Sequence, residues 1–107
     1  MEGLLAKHPA LARKVDSLVA DGHAEWGTLM GFPCLRTGGA FFATARHDRP
    51  ELVVKLPAGR VGELIEAGTG HPFAPAGRTF KEWIAVPEAS SESWISLLDE
   101  AREFVSK

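Results

Sequence analysis

The chain has 107 residues, close to the commonest size of one domain and too short for two ordinary ones. With 45% hydrophobic and 24% charged residues it has the balance of a folded globule, able to bury a core without disulfides or a structural metal. Its one cysteine, Cys34, excludes an intramolecular disulfide and suits a reducing, cytoplasmic setting, and a net charge of −2 excludes a polycation held to nucleic acid by overall charge.

Residues 1–12 lack the long apolar core of a secretory leader, and no apolar run approaches the ~18 residues of a membrane span, so no membrane partner is expected. Charge is unevenly spread. Residues 30–81 hold seven Lys/Arg against four Asp/Glu, whereas residues 82–107 hold two against six. The middle of the chain can present a mildly basic surface.

The first element is a helix over about residues 3–20, because Leu4, Leu11, Val15 and Leu18 recur on one stripe. Pro9 falls inside it and suits the first turn of a regular helix, and Asp21-Gly22 supplies the stop. From Thr28 the period becomes strand-like. Leu29–Arg36 and Ala40–Arg46 are two strands joined at Thr37-Gly38-Gly39, where two glycines allow the positive φ of a tight hairpin. His47-Asp48-Arg49-Pro50 is a turn, with the Asp48 side chain suited to bonding local backbone. Glu51–Leu56 then alternates so that Leu52, Val54 and Leu56 share a face. Pro57 ends that strand, and Val61, Leu64 and Ile65 mark a short helix closing at Gly68. Thr69–Arg78 is a loop or irregular edge strand, and Phe80–Val86 is a further strand stopped by Pro87.

A last helix over Ser91–Ser106, capped by Ser90 or Ser91, carries the clearest stripe in the chain. Trp94, Leu98, Ala101 and Val105 should dock it on a sheet, with Glu92 and Glu100 on its polar side. The expected fold is α+β: a twisted antiparallel sheet of four to five strands with flanking helices, in the order α-β-β-β-α-β(β)-α. Residues 1–107 are expected to form a single domain.

Gly31-Phe32-Pro33 followed by Arg36-Thr37-Gly38-Gly39-Ala40-Phe41-Phe42-Ala43 resembles the strand-turn-strand opening of MmcQ/YjbR-like domains. These are akin to the N-terminal domain of TfoX-type competence regulators. Leu52-Val53-Val54-Lys55-Leu56-Pro57 and Trp83-Ile84-Ala85-Val86-Pro87 are similar to later strands of that group, and the likeness runs over Glu25–Lys107. The resemblance implies a small α+β domain that carries a DNA-binding label rather than a known chemistry. Ala40 stands where the family commonly has a lysine, which removes a cation from any phosphate-binding reading.

The residues themselves offer little catalysis. His8, His23, His47 and His71 are scattered without zinc-ligand spacing, and read as surface or turn histidines; no metal and no cofactor are expected. Arg36 shares a strand face with Cys34 and could activate its thiol, yet no oriented base accompanies it, and the cysteine reads as a small buried hydrophobe. His47 and Asp48 are adjacent on a strand end, so they point apart rather than pair as base and orienter. Gly38-Gly39 and the Gly59/Gly62 pair match no nucleotide-binding string. Trp26, Trp83 and Trp94 read as core anchors, with Trp83 out of step with Ile84 and Val86 and so on the other side of the sheet.

The remaining set is Arg36, Arg46, Lys55 and Arg60, each at or near a strand end or helix start, a candidate contact for nucleic acid or another anion on one sheet face. Solvated edge charges that discourage aggregation are the alternative reading. The expected function is a non-enzymatic binding or regulatory domain that engages a protein partner or self-associates as a homodimer. The alternative is weak DNA binding through the basic sheet face.

Overall fold

The computed structural model describes residues 1–29, 31–46 and 48–107. Helices α1 (Glu2–Lys7) and α2 (Pro9–Ala20) are followed by strands β1 (Glu25–Leu29), β2 (Phe32–Thr37), β3 (Ala40–Ala45) and β4 (Glu51–Lys55). Helix α3 (Ala58–Glu66), strands β5 (His71–Pro72) and β6 (Trp83–Pro87), a 3₁₀ segment (Glu88–Ser93) and helix α4 (Trp94–Val105) complete the chain. The class is α+β. The strands form one antiparallel sheet of six in the order β1-β2-β3-β4-β6-β5.

Several elements depart from the sequence reading for local reasons. The single N-terminal helix is two, because the backbone leaves helical geometry at His8 (φ −130°, ψ 83°) and Pro9 restarts it in its first turn. Residues 29–36 are not one strand. Gly31, at φ 84°, lies in a turn that separates β1 from β2 and adds a strand at the sheet edge; Met30 lies outside the described residues. The late strand begins at Trp83 rather than Phe80. The last helix begins at Trp94, with Ser93 at its N-cap position and no side-chain capping bond from any serine. Gly38 and Gly39 do take positive φ (57° and 83°), and Gly68 (77°) follows the α3 C-cap.

Strand register fixes which side chains share a face, because residues directly opposite in antiparallel strands project together. Leu35, Ala43, Val54 and Ile84 lie in one row, and Ala45, Leu52 and Val86 in the next. A bulge between Leu35 and Arg36 leaves Phe42 as an extra residue, which turns it toward the same side. With Leu56, these residues form one buried cluster with Leu4, Leu11, Val15, Leu18, Val61, Leu64, Leu97, Leu98 and Ala101. All four helices therefore cover one face of the sheet, and the fold is two-layered.

Trp94 is the largest side chain in that cluster, 1% exposed, and its Nε1–H donates to the Val86 carbonyl at 3.0 Å. Val105 packs at the margin, as the stripe implied. Glu100 is not a bystander on the polar side: it accepts from Arg60 and ties α4 to α3. Trp94→Ala should cost about 3–5 kcal/mol through lost burial and the cavity left behind. Glu92→Ala, fully on the solvent side, should shift stability by less than about 0.5 kcal/mol in the same denaturant melts.

Gly70 is a constraint that no sequence pattern announces. A Cβ there would lie 2.7 Å from the Ala85 carbonyl oxygen and 2.8 Å from Ile84 Cδ1, both on β6. Backbone in an interior strand cannot retreat, so Gly70→Ala should destabilise by about 1–3 kcal/mol. Gly59→Ala, with open space around it, should be neutral or stabilising by comparison.

Candidate functional site: the helix-free face and its edge

The face opposite the helices is set by the same register. Gly27, Cys34, Arg36, Phe41, Thr44, Glu51, Val53, Lys55, Trp83, Ala85 and His71 alternate with the core rows and project away from them. Cys34, Val53 and Ala85 are buried yet stand outside the helix-side cluster. Larger neighbours on their own face shield them. Phe41 illustrates how: its Cε1 lies 3.1 Å from where a Cβ on Gly27 would sit, so the ring reaches from β3 across β2 to β1. Cys34, opposite Gly27, lies beneath that path. The expectation of a buried cysteine that packs as a small hydrophobe agrees with this position.

Of the four basic residues singled out in sequence, the fold brings three onto this face and separates the fourth. Arg36 and Lys55 lie at one end, on β2 and β4, about 10 Å apart by strand spacing. Arg46 follows β3 at the other end, opposite Glu51. Arg60 belongs to the helical layer, where Nε and Nη2 donate to Glu100 at 2.8 and 3.4 Å and Nη1 to Glu63 at 3.2 Å. Those hydrogen bonds, Glu100 first, hold its guanidinium above the usual arginine range against an opposing desolvation effect.

The three cations on the face do not make a free positive patch. Arg36 Nε lies 3.1 Å from Glu25 Oε1, as an ion pair at an angle unsuited to a hydrogen bond. Arg46 donates to both Asp48 oxygens at 3.0 Å, a bidentate pair. Lys55 has no ion pair among the described residues. His47 lies outside the described residues, so its proposed separation from Asp48 does too.

The same face holds a cluster that the sequence does not reveal. Glu51 is 5% exposed, the one buried charged side chain among the described residues. His71 Nε2 donates to its Oε2 at 2.6 Å, and Arg46 Nη1 stands 3.8 Å from Oε1, which has no hydrogen-bond partner among the described residues. β6 separates the two strands that carry Glu51 and His71, so the contact spans a strand. It fastens the two-residue β5 to the body of the sheet. Among the described residues no group of three or more His, Cys, Asp or Glu is placed to hold a metal ion. A hollow of about 360 Å³ lined by Lys7, Arg46 and Arg49, and one of about 430 Å³ beside Val19 and Trp26, are both open to solvent.

The edge of the sheet differs in character from its face. Trp26 is 42% exposed, and Leu29 and Phe32 are each 44% exposed. The reading of Trp26 as a core anchor is therefore corrected: it stands on the helix side of β1, opposite Leu35, but lines the solvent-open hollow beside Val19 of α2 rather than the core. Leu29 and Phe32 face each other on the helix-free side. Trp83 is half-buried on that side, as its parity implied.

Glu51→Gln should cost about 1–2 kcal/mol, because the buried position loses a charge-assisted bond to His71 without losing volume. Asp48→Asn at the exposed turn should change stability by less than about 0.5 kcal/mol, since exposed pairs contribute little. Urea melts of both variants decide between a structural carboxylate and an ornamental one.

No family model matches the chain, and neither a curated protein nor a solved structure matches it.

Proposed function

We propose that the chain is a non-enzymatic binding module that engages protein through the β1–β2 hairpin at the edge of its sheet. The carrying observation is the exposure of Trp26, Leu29 and Phe32 on that one hairpin. Trp26 on the helix side and the Leu29–Phe32 pair on the other side flank the same open edge, and large exposed apolar side chains mark interaction surfaces in which aromatic residues contribute most of the energy when buried by a partner. The unpaired outer side of β1 adds backbone donors and acceptors that a partner strand can satisfy. The resemblance to MmcQ/YjbR-like domains belongs to this proposal as a family expectation.

One observation favours the second reading, weak DNA binding: Arg36, Arg46 and Lys55 share the helix-free face. Carboxylates already occupy two of the three, so phosphate contacts there require exchange of an existing partner. The protein-binding reading carries no such exchange.

The two readings part in a direct comparison. Selection of displayed random peptides on the immobilised chain should yield extended, apolar-alternating sequences, and Trp26→Ser should weaken their binding at least ~10-fold while leaving the melting curve in place. Duplex DNA should bind undetectably at ~50 mM salt. Steeply salt-dependent DNA binding that Arg46→Glu and Lys55→Glu abolish would replace this reading with the nucleic-acid one.

A further inference from the structure

We propose that the partner of the β1 edge is a second copy of this chain, joined antiparallel through Glu25–Leu29 about a two-fold axis at Gly27 into one continuous sheet. The inference rests on the binding reading above and names its partner.

The two edges of the sheet are unequal. β5 is two residues long and contains Pro72, which has no N–H to offer, and His71 is drawn inward onto Glu51. Short length and proline are the usual protections of an edge. β1 has neither: it runs for five residues, Glu-Trp-Gly-Thr-Leu, without proline or lysine. Its outward N–H and C=O groups form a template that an identical antiparallel strand satisfies in full, each bond being repeated by the two-fold.

Charge and side chains suit a copy of the same strand. Glu25 is the one charged residue of β1, and Arg36 of its own chain already pairs with it at 3.1 Å, so two such edges approach without uncompensated like charge. With Gly27 at the axis, Trp26 stands opposite the partner's Thr28 twice over on the helix side, an aromatic–β-branched pairing. On the other side, the Phe41 ring already reaches Gly27, with Cε1 3.1 Å from the position of a Cβ. The Glu25–Leu29 contact across the axis places each carboxylate opposite an apolar residue of the copy. Because β5 is closed to pairing, association through β1 ends at two subunits rather than continuing into a fibre.

Sedimentation velocity across the micromolar range tests this, since the expected species are monomer and dimer alone. Leu29→Glu sets a carboxylate opposite Glu25 of the copy at both symmetric positions. It should weaken dimerisation at least ~10-fold, whereas Leu29→Lys should retain it. Both substitutions fall on an exposed side chain, and unchanged melting of the dilute proteins would show that the fold is intact. Equal effects of the two variants, species larger than dimers, or a wild-type chain that stays monomeric would overturn the proposal. A monomer that still binds selected peptides along β1 leaves the binding reading standing and removes only the second copy. A monomer that binds none removes both.

Discussion

The Trp94 indole is the contact on which the architecture turns. Its Nε1–H reaches the Val86 carbonyl of β6 at 3.0 Å, and its ring takes the edge of His8 at a centroid distance of 4.7 Å. His8 Nε2 in turn donates to Glu88 Oε2 at 2.7 Å, in the 3₁₀ segment that leads into α4. One side chain thus joins the break between α1 and α2, a strand, and the last helix. A buried indole without a partner for its N–H would carry a desolvation penalty of about 1–3 kcal/mol, so the bond to Val86 fixes orientation as well as position. With α4 held there, α2 and α3 complete the layer on the same side of the sheet.

One-sided coverage explains the unusual burial of β4. Glu51, Leu52, Val53 and Val54 are all buried, although a strand with one wet face should alternate. Leu52 and Val54 lie under helices, whereas Glu51 and Val53 lie under the long side chains of their own face. Those side chains form a thin second cover in place of a second helical layer. Small residues such as Cys34 and Ala85 suit the positions beneath it, and bulkier residues such as Phe41 and Trp83 supply the cover.

What the sequence made legible were features settled by neighbours a few residues away. The alternation of Leu52, Val54 and Leu56, the Gly38-Gly39 hairpin and the stripe containing Trp94 and Leu98 each follow from backbone periodicity or local sterics. The β1–β2 hairpin was not legible, because residues 29–36 are continuously apolar-rich and one glycine gives a weaker turn signal than two. Strand parity puts Arg36, Arg46 and Lys55 on one face, though at its two ends, but Arg60 found its carboxylate 40 residues away on another helix. Glu51 and His71 lie 20 residues apart on strands that are not neighbours, so no local pattern announces their bond. Trp26 misled for a different reason: tryptophan is usually buried, and only the extent of the helical layer shows that this one is not.

Charge pairing bears on what kind of partner the molecule can hold. A phosphate approaching Arg46 meets a guanidinium already bonded at both ends of a carboxylate, and at Arg36 it meets Glu25. The incoming anion gains only the difference between its own contacts and those it displaces, while repulsion from the displaced carboxylate persists nearby. An apolar partner at the β1–β2 hairpin displaces water from Trp26, Leu29 and Phe32, and apolar contact with water is the unfavourable state to begin with. The backbone of the open edge exchanges water for strand partners at little net cost. The proposed association at the edge of the sheet therefore breaks no ion pair, whereas on the helix-free face two of the three cations already hold carboxylates.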